Sequence, residues 1–336
     1  MFYVKDHNLK PLILLLLLGG ILPVHAASSQ DKSWRLCALY PHLKDSYWLS
    51  INFGMIKQAK QRAVELKVLE AGGYDNSENQ WSQIESCKKW GADAILVGSV
   101  YFDSLSEQLE LVNQYIPLFG LVNELSTLKL TASTGVSWYK MGYKLGHYLA
   151  ERHPTGTPKV SLAWLPGPKG GGGSLQATAG LKDAIANSSV ELVAVKYGLN
   201  EKIAQFSLIR TLLTQYPRID YLAGNAVMAE MAISEVATMA QGHRPKILSH
   251  YLSHGVYRGI RRGKILMANS DQMVLQGVMA IDQVVDFLDG NDFELQQGPQ
   301  IITLDRAKLG NIDIEQSLSP SYFKPQYSVG LTHSIK

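Results

Sequence analysis

The stretch Leu36–Phe53, LCALYPHLKDSYWLSINF, decides the fold. An apolar run gives way to a loop with Pro41 and the pair Lys44 and Asp45, then to an amphipathic pattern. Strand, turn and helix therefore follow in quick succession. Leu36, Ala38 and Tyr40 alternate with Cys37 and Leu39, which suits a strand buried on both faces of a parallel sheet. The loop carries Asp45, Ser46, Tyr47 and Trp48 to the carboxyl end of that strand, where open α/β sheets bind their ligands. Two readings fit these residues. They form a recognition site, or Asp45 or Ser46 caps the following helix and Trp48 is its first buried residue.

Upstream, Lys5 and Lys10 precede an apolar core from Pro11 to Leu22, and Val24-His25-Ala26 supplies the small residues of a cleavage site. Residues 1–26 read as a secretory signal peptide, with the mature chain starting near Ala27, against the alternative of an uncleaved anchor. No later segment is apolar enough to cross a membrane. The rest of the 336 residues suffices for two domains, and a formal net charge of +3 is too slight to imply nucleic acid. Cys37 and Cys87 are the only cysteines. An oxidising compartment permits a disulfide between them, while two small buried hydrophobes is the other reading. No His or Cys spacing indicates a metal, and no cofactor fingerprint is present.

Downstream, strands are expected at 66–71, 94–98 and 116–122, with helices at 78–90 and 104–113 between them. Residues 131–138 read as a crossing segment into a helix over 139–152, and 153–158 as a loop. The pattern then restarts: strands at 160–165, 190–195, 221–224 and 247–251 alternate with helices at 175–187, 203–215 and 226–239. Regular alternation of this kind means right-handed βαβ units and parallel sheets. Two such lobes joined by crossings make a clamshell with its ligand in the cleft. The run PGPKGGGGS, 166–174, lacks both the P-loop lysine and the dinucleotide glycine spacing, so it reads as a cleft-edge loop rather than a phosphate cradle.

Collecting the strand ends gives Tyr47 and Trp48, Tyr74, Trp138 and Tyr139, Tyr251, and Asp271 at the end of ILMANSD, 265–271. Several aromatics from different strands suggest a cage, and cages of rings recognise methylated ammonium groups. The predicted ligand set is Asp45, Tyr47, Trp48, Tyr74, Trp138, Tyr251 and Asp271. Trp34, Trp81, Trp90 and Trp164 read as packing residues, and His250 and His254 as ordinary surface or core histidines.

The runs LCALYPHLKDSYWLSINFGM, LKVLEAGGY and SHYLSHGVYRGIRRGKILMANSDQMVLQG, with PGP at 166–168 and SLSP at 317–320, resemble the trimethylamine N-oxide (TMAO) binding branch of the type I periplasmic-binding-protein family. The resemblance spans most of 34–325, includes both cysteines, and is weakest in the signal peptide, at 101–109 and in the glycine run. It implies an α/β fold of two lobes, each a parallel sheet flanked by helices, with three interlobe crossings. The implied lobes are 34–134 with 251–290, and 135–250 with 291–330. The paired charges of 257–262 would then lie on the first lobe's surface as a solvated face, with partner contact as the second reading. It also implies a periplasmic location, TMAO in the cleft, no cofactor, and the periplasmic sensor domain of a TorS-like histidine kinase as partner. A transport binding protein for a sugar or other small solute is the alternative, since fold does not determine ligand. An enzyme is disfavoured because no nucleophile elbow or catalytic metal spacing appears.

Overall fold

The first half of the chain alternates strands and helices: β1 (Arg35–Tyr40), α1 (Ser46–Gln61), β2 (Glu65–Glu70), α2 (Ser77–Trp90), β3 (Ala94–Val97), α3 (Ser106–Asn113), β4 (Leu118–Leu121) and β5 (Ala132–Thr134). A second series follows with α4 (Trp138–Ala150), β6 (Val160–Leu165), α5 (Ser174–Ile185), β7 (Val190–Val195), α6 (Lys202–Gln215), β8 (Tyr221–Gly224), α7 (Ala226–Thr238), β9 (Lys246–Ser249), α8 (His254–Arg261) and β10 (Met267–Ser270). The chain closes with α9 (Met273–Leu288), β11 (Gln296–Gln297), β12 (Ile302–Asp305) and β13 (Ser328–Val329). The structure is a computed structural model and describes residues 1–3, 33–100, 106–123, 130–171, 173–240 and 242–330. The expected signal peptide, its cleavage point before Ala27 and the expected helix start at Ser104 lie outside the described residues.

The strands form a seven-stranded sheet, β11-β5-β4-β3-β1-β2-β13, and a six-stranded sheet, β12-β10-β9-β8-β6-β7. Both contain the same five-strand parallel order, β2-β1-β3-β4-β5 in one and β7-β6-β8-β9-β10 in the other. Among the named strands of the described residues, antiparallel pairing is confined to β13 against β2 and β12 against β10. In β1 and β3 the apolar residues on both faces are buried, because helices cover the sheet on either side. The order places a switch point between β1 and β3, and another between β6 and β8, which is where such sheets open a ligand crevice.

Each lobe hands its fifth strand's helix to the other lobe. After β5, α4 packs on α5; after β10, α9 packs on α1. Both pairs meet backbone to backbone: a Cβ at Gly142 would come 1.9 Å from the Ala177 carbonyl oxygen, and one at Gly54 would come 2.0 Å from that of Val274. No side chain fits there. Arg62 adds polar clasps between α1 and α9, at 3.1 Å to Asp282 and 2.7 Å to Asp286. At the passages themselves, Gln283 on α9 accepts from the Thr134 hydroxyl at 2.9 Å and donates to the Ser133 carbonyl, so the crossing strand and helix share one buried amide.

Two lobe boundaries differ from expectation. Residues 251–271 stay with the second lobe, because β10 pairs in register with β9 (Met267 opposite Leu248) and is buried along its length. The passage to the first lobe falls at Asp271–Met273, and the helix α8 with its Tyr257, Arg258 and Arg261, followed by Arg262, packs mainly on α7 and β10 of the second lobe. Within 291–330, expected in the second lobe, only β12 joins the second sheet; β11 and β13 both join the first. The chain thus makes a fourth passage after β12, beyond the three expected. Residues 131–138 hold a short sheet strand, β5, ahead of the crossing.

Cys37 and Cys87 form a disulfide joining β1 to α2 across 50 residues of chain. Closing a loop of that length in the unfolded state is worth about 4 kcal/mol in the chain-entropy treatment. Reduction, or the Cys37→Ala/Cys87→Ala pair, should lower the midpoint of thermal unfolding by several degrees; an unchanged midpoint in scanning fluorimetry with and without reductant would contradict this.

Candidate functional site

Asp45 caps α1: its carboxylate accepts from the amides of Tyr47 and Trp48, both at 3.1 Å. The capping reading is therefore what this carboxylate does locally, and its effect is to set the first turn so that two rings point inward. Trp48 is 1 % exposed, donates its indole N–H to the Tyr74 hydroxyl at 3.0 Å, and packs 5.3 Å from the Tyr40 ring. Its far edge lies over Gly98, where a Cβ would approach it to 2.6 Å. One end of the ring is core, and the other holds Tyr74.

Tyr47 reaches across to rings from elsewhere in the chain. Its centroid is 5.2 Å from Tyr251 and 6.2 Å from Trp138, and those two are 6.1 Å apart. These separations are ordinary ring contacts, so the three side chains touch. Tyr47 comes from the first lobe, Tyr251 from the loop after β9 in the second, and Trp138 from the first residue of α4 at a passage between them. The end of the glycine run packs on Trp138: Gly173, with φ +71°, is so close that a Cβ there would lie 2.0 Å from the indole. That is a physical use for this glycine that the sequence pattern did not reveal.

Behind the rings lies a buried carboxylate. Asp271 accepts from the Tyr47 hydroxyl and, at 2.8 Å, from the Gln276 amide on the same oxygen. Its other oxygen, Oδ1, has no hydrogen-bond partner among the described residues. Burial pushes the Asp271 carboxyl above the usual carboxylate range, while the donors Tyr47 and Gln276 pull it back. Burial likewise raises Tyr47 and Tyr251, and pushes Tyr74 up to about 12, so these hydroxyls keep their protons at neutral pH. His250 also joins the cluster, 5.0 Å from Tyr251, 5.9 Å from Trp138 and 5.1 Å from Trp164. By sequence it reads as an ordinary surface or core histidine, and the structure buries it. Only its position immediately before Tyr251 could have drawn notice.

In front of the rings is a cavity of about 630 Å³ between the lobes. Asp45, Tyr47, Tyr74 and Tyr251 line it, while Trp48, Trp138 and Asp271 are not on its wall. Asn200, Glu230 and Arg258 form part of the second lobe's side. Sequence reading missed Glu230, which lies mid-helix in α7 and accepts a hydrogen bond from the Ser253 hydroxyl. Among the described residues no group of three His, Cys, Asp or Glu side chains is arranged to hold a metal ion. Chemically, the set offers ring faces and one half-satisfied buried carboxylate, a combination that suits a compact organic cation better than an anion.

The family model described as periplasmic binding proteins and sugar binding domain of the LacI family matches residues 33–322. Periplasmic protein TorT of Escherichia coli (strain K12) is 41% identical over 311 residues, 91% of this chain and 87% of that protein. The crystal structure of a TorS sensor domain–TorT complex in the presence of TMAO matches with TM-score 0.81 and 41% identity, over 88% of this chain and 100% of the other. An ABC transporter solute binding protein from Bradyrhizobium sp. BTAi1, with bound Bis-Tris, matches with TM-score 0.77 and 38% identity over 88% of this chain and 90% of that one.

The buried His250 makes a pH test possible. Burial pushes its imidazole down to about 4, so folding favours the neutral ring. The stability this represents is complete above the unfolded value near 6.5 and is lost as pH falls from there toward 4. Asp271, raised, acts in the opposite sense, relieving strain as it gains a proton in the acid range. Urea unfolding at pH 7 and pH 5 should differ by about 2 kcal/mol through His250, and the difference should shrink in His250→Phe. Equal pH dependence in parent and variant would refute the assignment.

Proposed function

Because the chain belongs to the periplasmic-binding-protein family, we propose that it binds TMAO in the interlobe cleft and reports occupancy to the periplasmic sensor domain of a TorS-like histidine kinase. The protein is a periplasmic binding and signalling protein, without catalysis. Among the described residues, no helix is long and apolar enough to cross a membrane. The observation that carries the choice of ligand is the contact of Tyr47, Trp138 and Tyr251 in front of the half-satisfied Asp271. TMAO has three methyl groups on a positive nitrogen, and ring faces with a carboxylate behind them attract that end. The similarity to a protein found in complex with a TorS sensor domain and TMAO supports the same ligand and the same kind of partner.

The geometry also supplies a coupling. The rings touch, so a molecule enters among them only as they part, and Tyr47 and Tyr251 belong to different lobes. Occupancy therefore bears directly on the angle between the lobes. A partner is biased by that angle only to the extent that it binds one lobe arrangement better than another. In this reading Asp45 acts through its cap, holding Tyr47 and Trp48 in place, and Tyr74 holds Trp48. Asp271 faces the nitrogen.

The second reading, a solute-binding protein of an ABC transporter for a sugar or other small solute, is favoured by the Bradyrhizobium relative. Calorimetric titration with TMAO, ribose and galactose separates the two. TMAO is so small that a ceiling of about 1.5 kcal/mol per non-hydrogen atom holds affinity to the micromolar range. Binding of TMAO and of neither sugar is expected; the reverse would overturn the proposal. Trp138→Ala, checked for retained fold, should weaken TMAO binding by roughly tenfold. Unchanged affinity would make Trp138 a packing residue. Purified TorS-type sensor domain should co-elute with the protein in gel filtration in at least one of the two states, TMAO-free or TMAO-loaded; no association in either would remove the signalling role.

A further inference from the structure

An N-oxide has two ends, and the residues above serve only one of them. Ring faces and Asp271 suit the methylated nitrogen, whereas the oxide oxygen needs a donor that nothing else has claimed. Within the cluster the Tyr47 hydroxyl is engaged by Asp271 and the Trp48 indole N–H by Tyr74, while Tyr74 and Tyr251 line the larger cavity in front of the rings. His250 is different. It is 1 % exposed, and Nδ1 makes no hydrogen bond of good geometry among the described residues, although the Gly224 backbone lies close enough to favour the charged ring. Its backbone is fixed by the amide's 2.9 Å bond to the Gly224 carbonyl, which prolongs the pairing of β9 with β8 past the strand end. Trp164 supports the ring from the core side, and Trp138 and Tyr251 border it on the side of the cluster.

An orphaned buried nitrogen costs stability wherever it has no use, since the group lost its water on folding. A ligand acceptor arriving between Trp138 and Tyr251 would remove that cost. We infer that His250 donates an imidazole N–H to the oxide oxygen of TMAO and so distinguishes the N-oxide from methylammonium compounds of the same shape. The inference rests on the functional reading above and supplies the group that selects for the oxide. The ring is neutral at physiological pH, since burial lowers its pKa to about 4. It therefore offers a donor without placing a second positive charge beside the ligand's nitrogen.

The test compares TMAO with tetramethylammonium, in which a methyl group stands where the oxide would be. Calorimetry on the full mature chain should show the parent preferring TMAO. In His250→Phe, which keeps a ring and removes the donor, TMAO binding should weaken roughly tenfold or more while tetramethylammonium stays within about threefold. His250→Gln, which restores an N–H, should recover part of the preference. If His250→Phe weakens both ligands alike, or neither, the residue is structural and the inference falls. In the parent labelled with ¹⁵N-histidine, TMAO but not tetramethylammonium should shift the His250 imidazole nitrogen signals; identical spectra with both ligands overturn the inference even if the variant does not fold. A parent that binds no TMAO at all overturns the functional reading first and this inference with it.

Discussion

Two helices, α4 and α9, leave the lobe whose fifth strand precedes them and pack on the first helix of the other lobe, and the rest of the molecule is arranged around that exchange. The contacts are close enough that a methyl group at Gly142 or Gly54 would collide with backbone. Such an interface does not slide gradually, so each helix moves as part of the lobe it has joined. Relative motion is left to the four passages between the lobes, two of which are the short ones between β5 and α4 and between β10 and α9. Trp138 begins α4, and Asp271 stands just before α9. Two of the candidate ligand residues thus sit on the two equivalent passages, where a change in lobe angle is felt first.

The buried carboxylate at one of these passages is expensive. Asp271 is fully buried, with two donors on one oxygen and none on the other, and its carboxyl is raised accordingly. A protein gains nothing in stability from such a group, because an apolar residue would pack there without the desolvation cost. Its presence makes sense as a counter-charge for a cation that arrives from outside. The Tyr47 hydroxyl, bonded to it from the first lobe, ties the same carboxylate to the ring that faces the cleft. Under the proposed function, ligand recognition and the passage between the lobes therefore share atoms.

The cavity and the ring cluster divide the work of the cleft. The cavity is far larger than a TMAO molecule needs, and its wall mixes acidic and basic side chains such as Glu230 and Arg258. Under the proposed function, selectivity for a small methylated cation is assigned to the contacting rings Tyr47, Tyr251 and Trp138, the first two of which form part of that wall.

The sequence by itself determined the strand and helix series, since apolar runs and helical periodicity are local properties: β6, β7 and β8 fall where they were expected, residue for residue. It also placed seven candidate side chains at the carboxyl ends of strands or at crossings, where the α/β architecture puts ligand residues. Only the tertiary structure decided which sheet claims a strand: ILMANS was legible as a strand, but its membership of the second sheet depends on pairing with β9, and the same holds for β11 and β13 in the first. The pairing of Cys37 with Cys87 was left open by the sequence for the same reason. So was the difference between Asp45 and Asp271, two carboxylates that look alike in a sequence. One is engaged by helix amides at the cleft wall, and the other lies buried with an oxygen to spare. Hydrogen-bond satisfaction is a property of everything that surrounds an atom, and the neighbours of Asp271 include Tyr47, more than two hundred residues away along the chain.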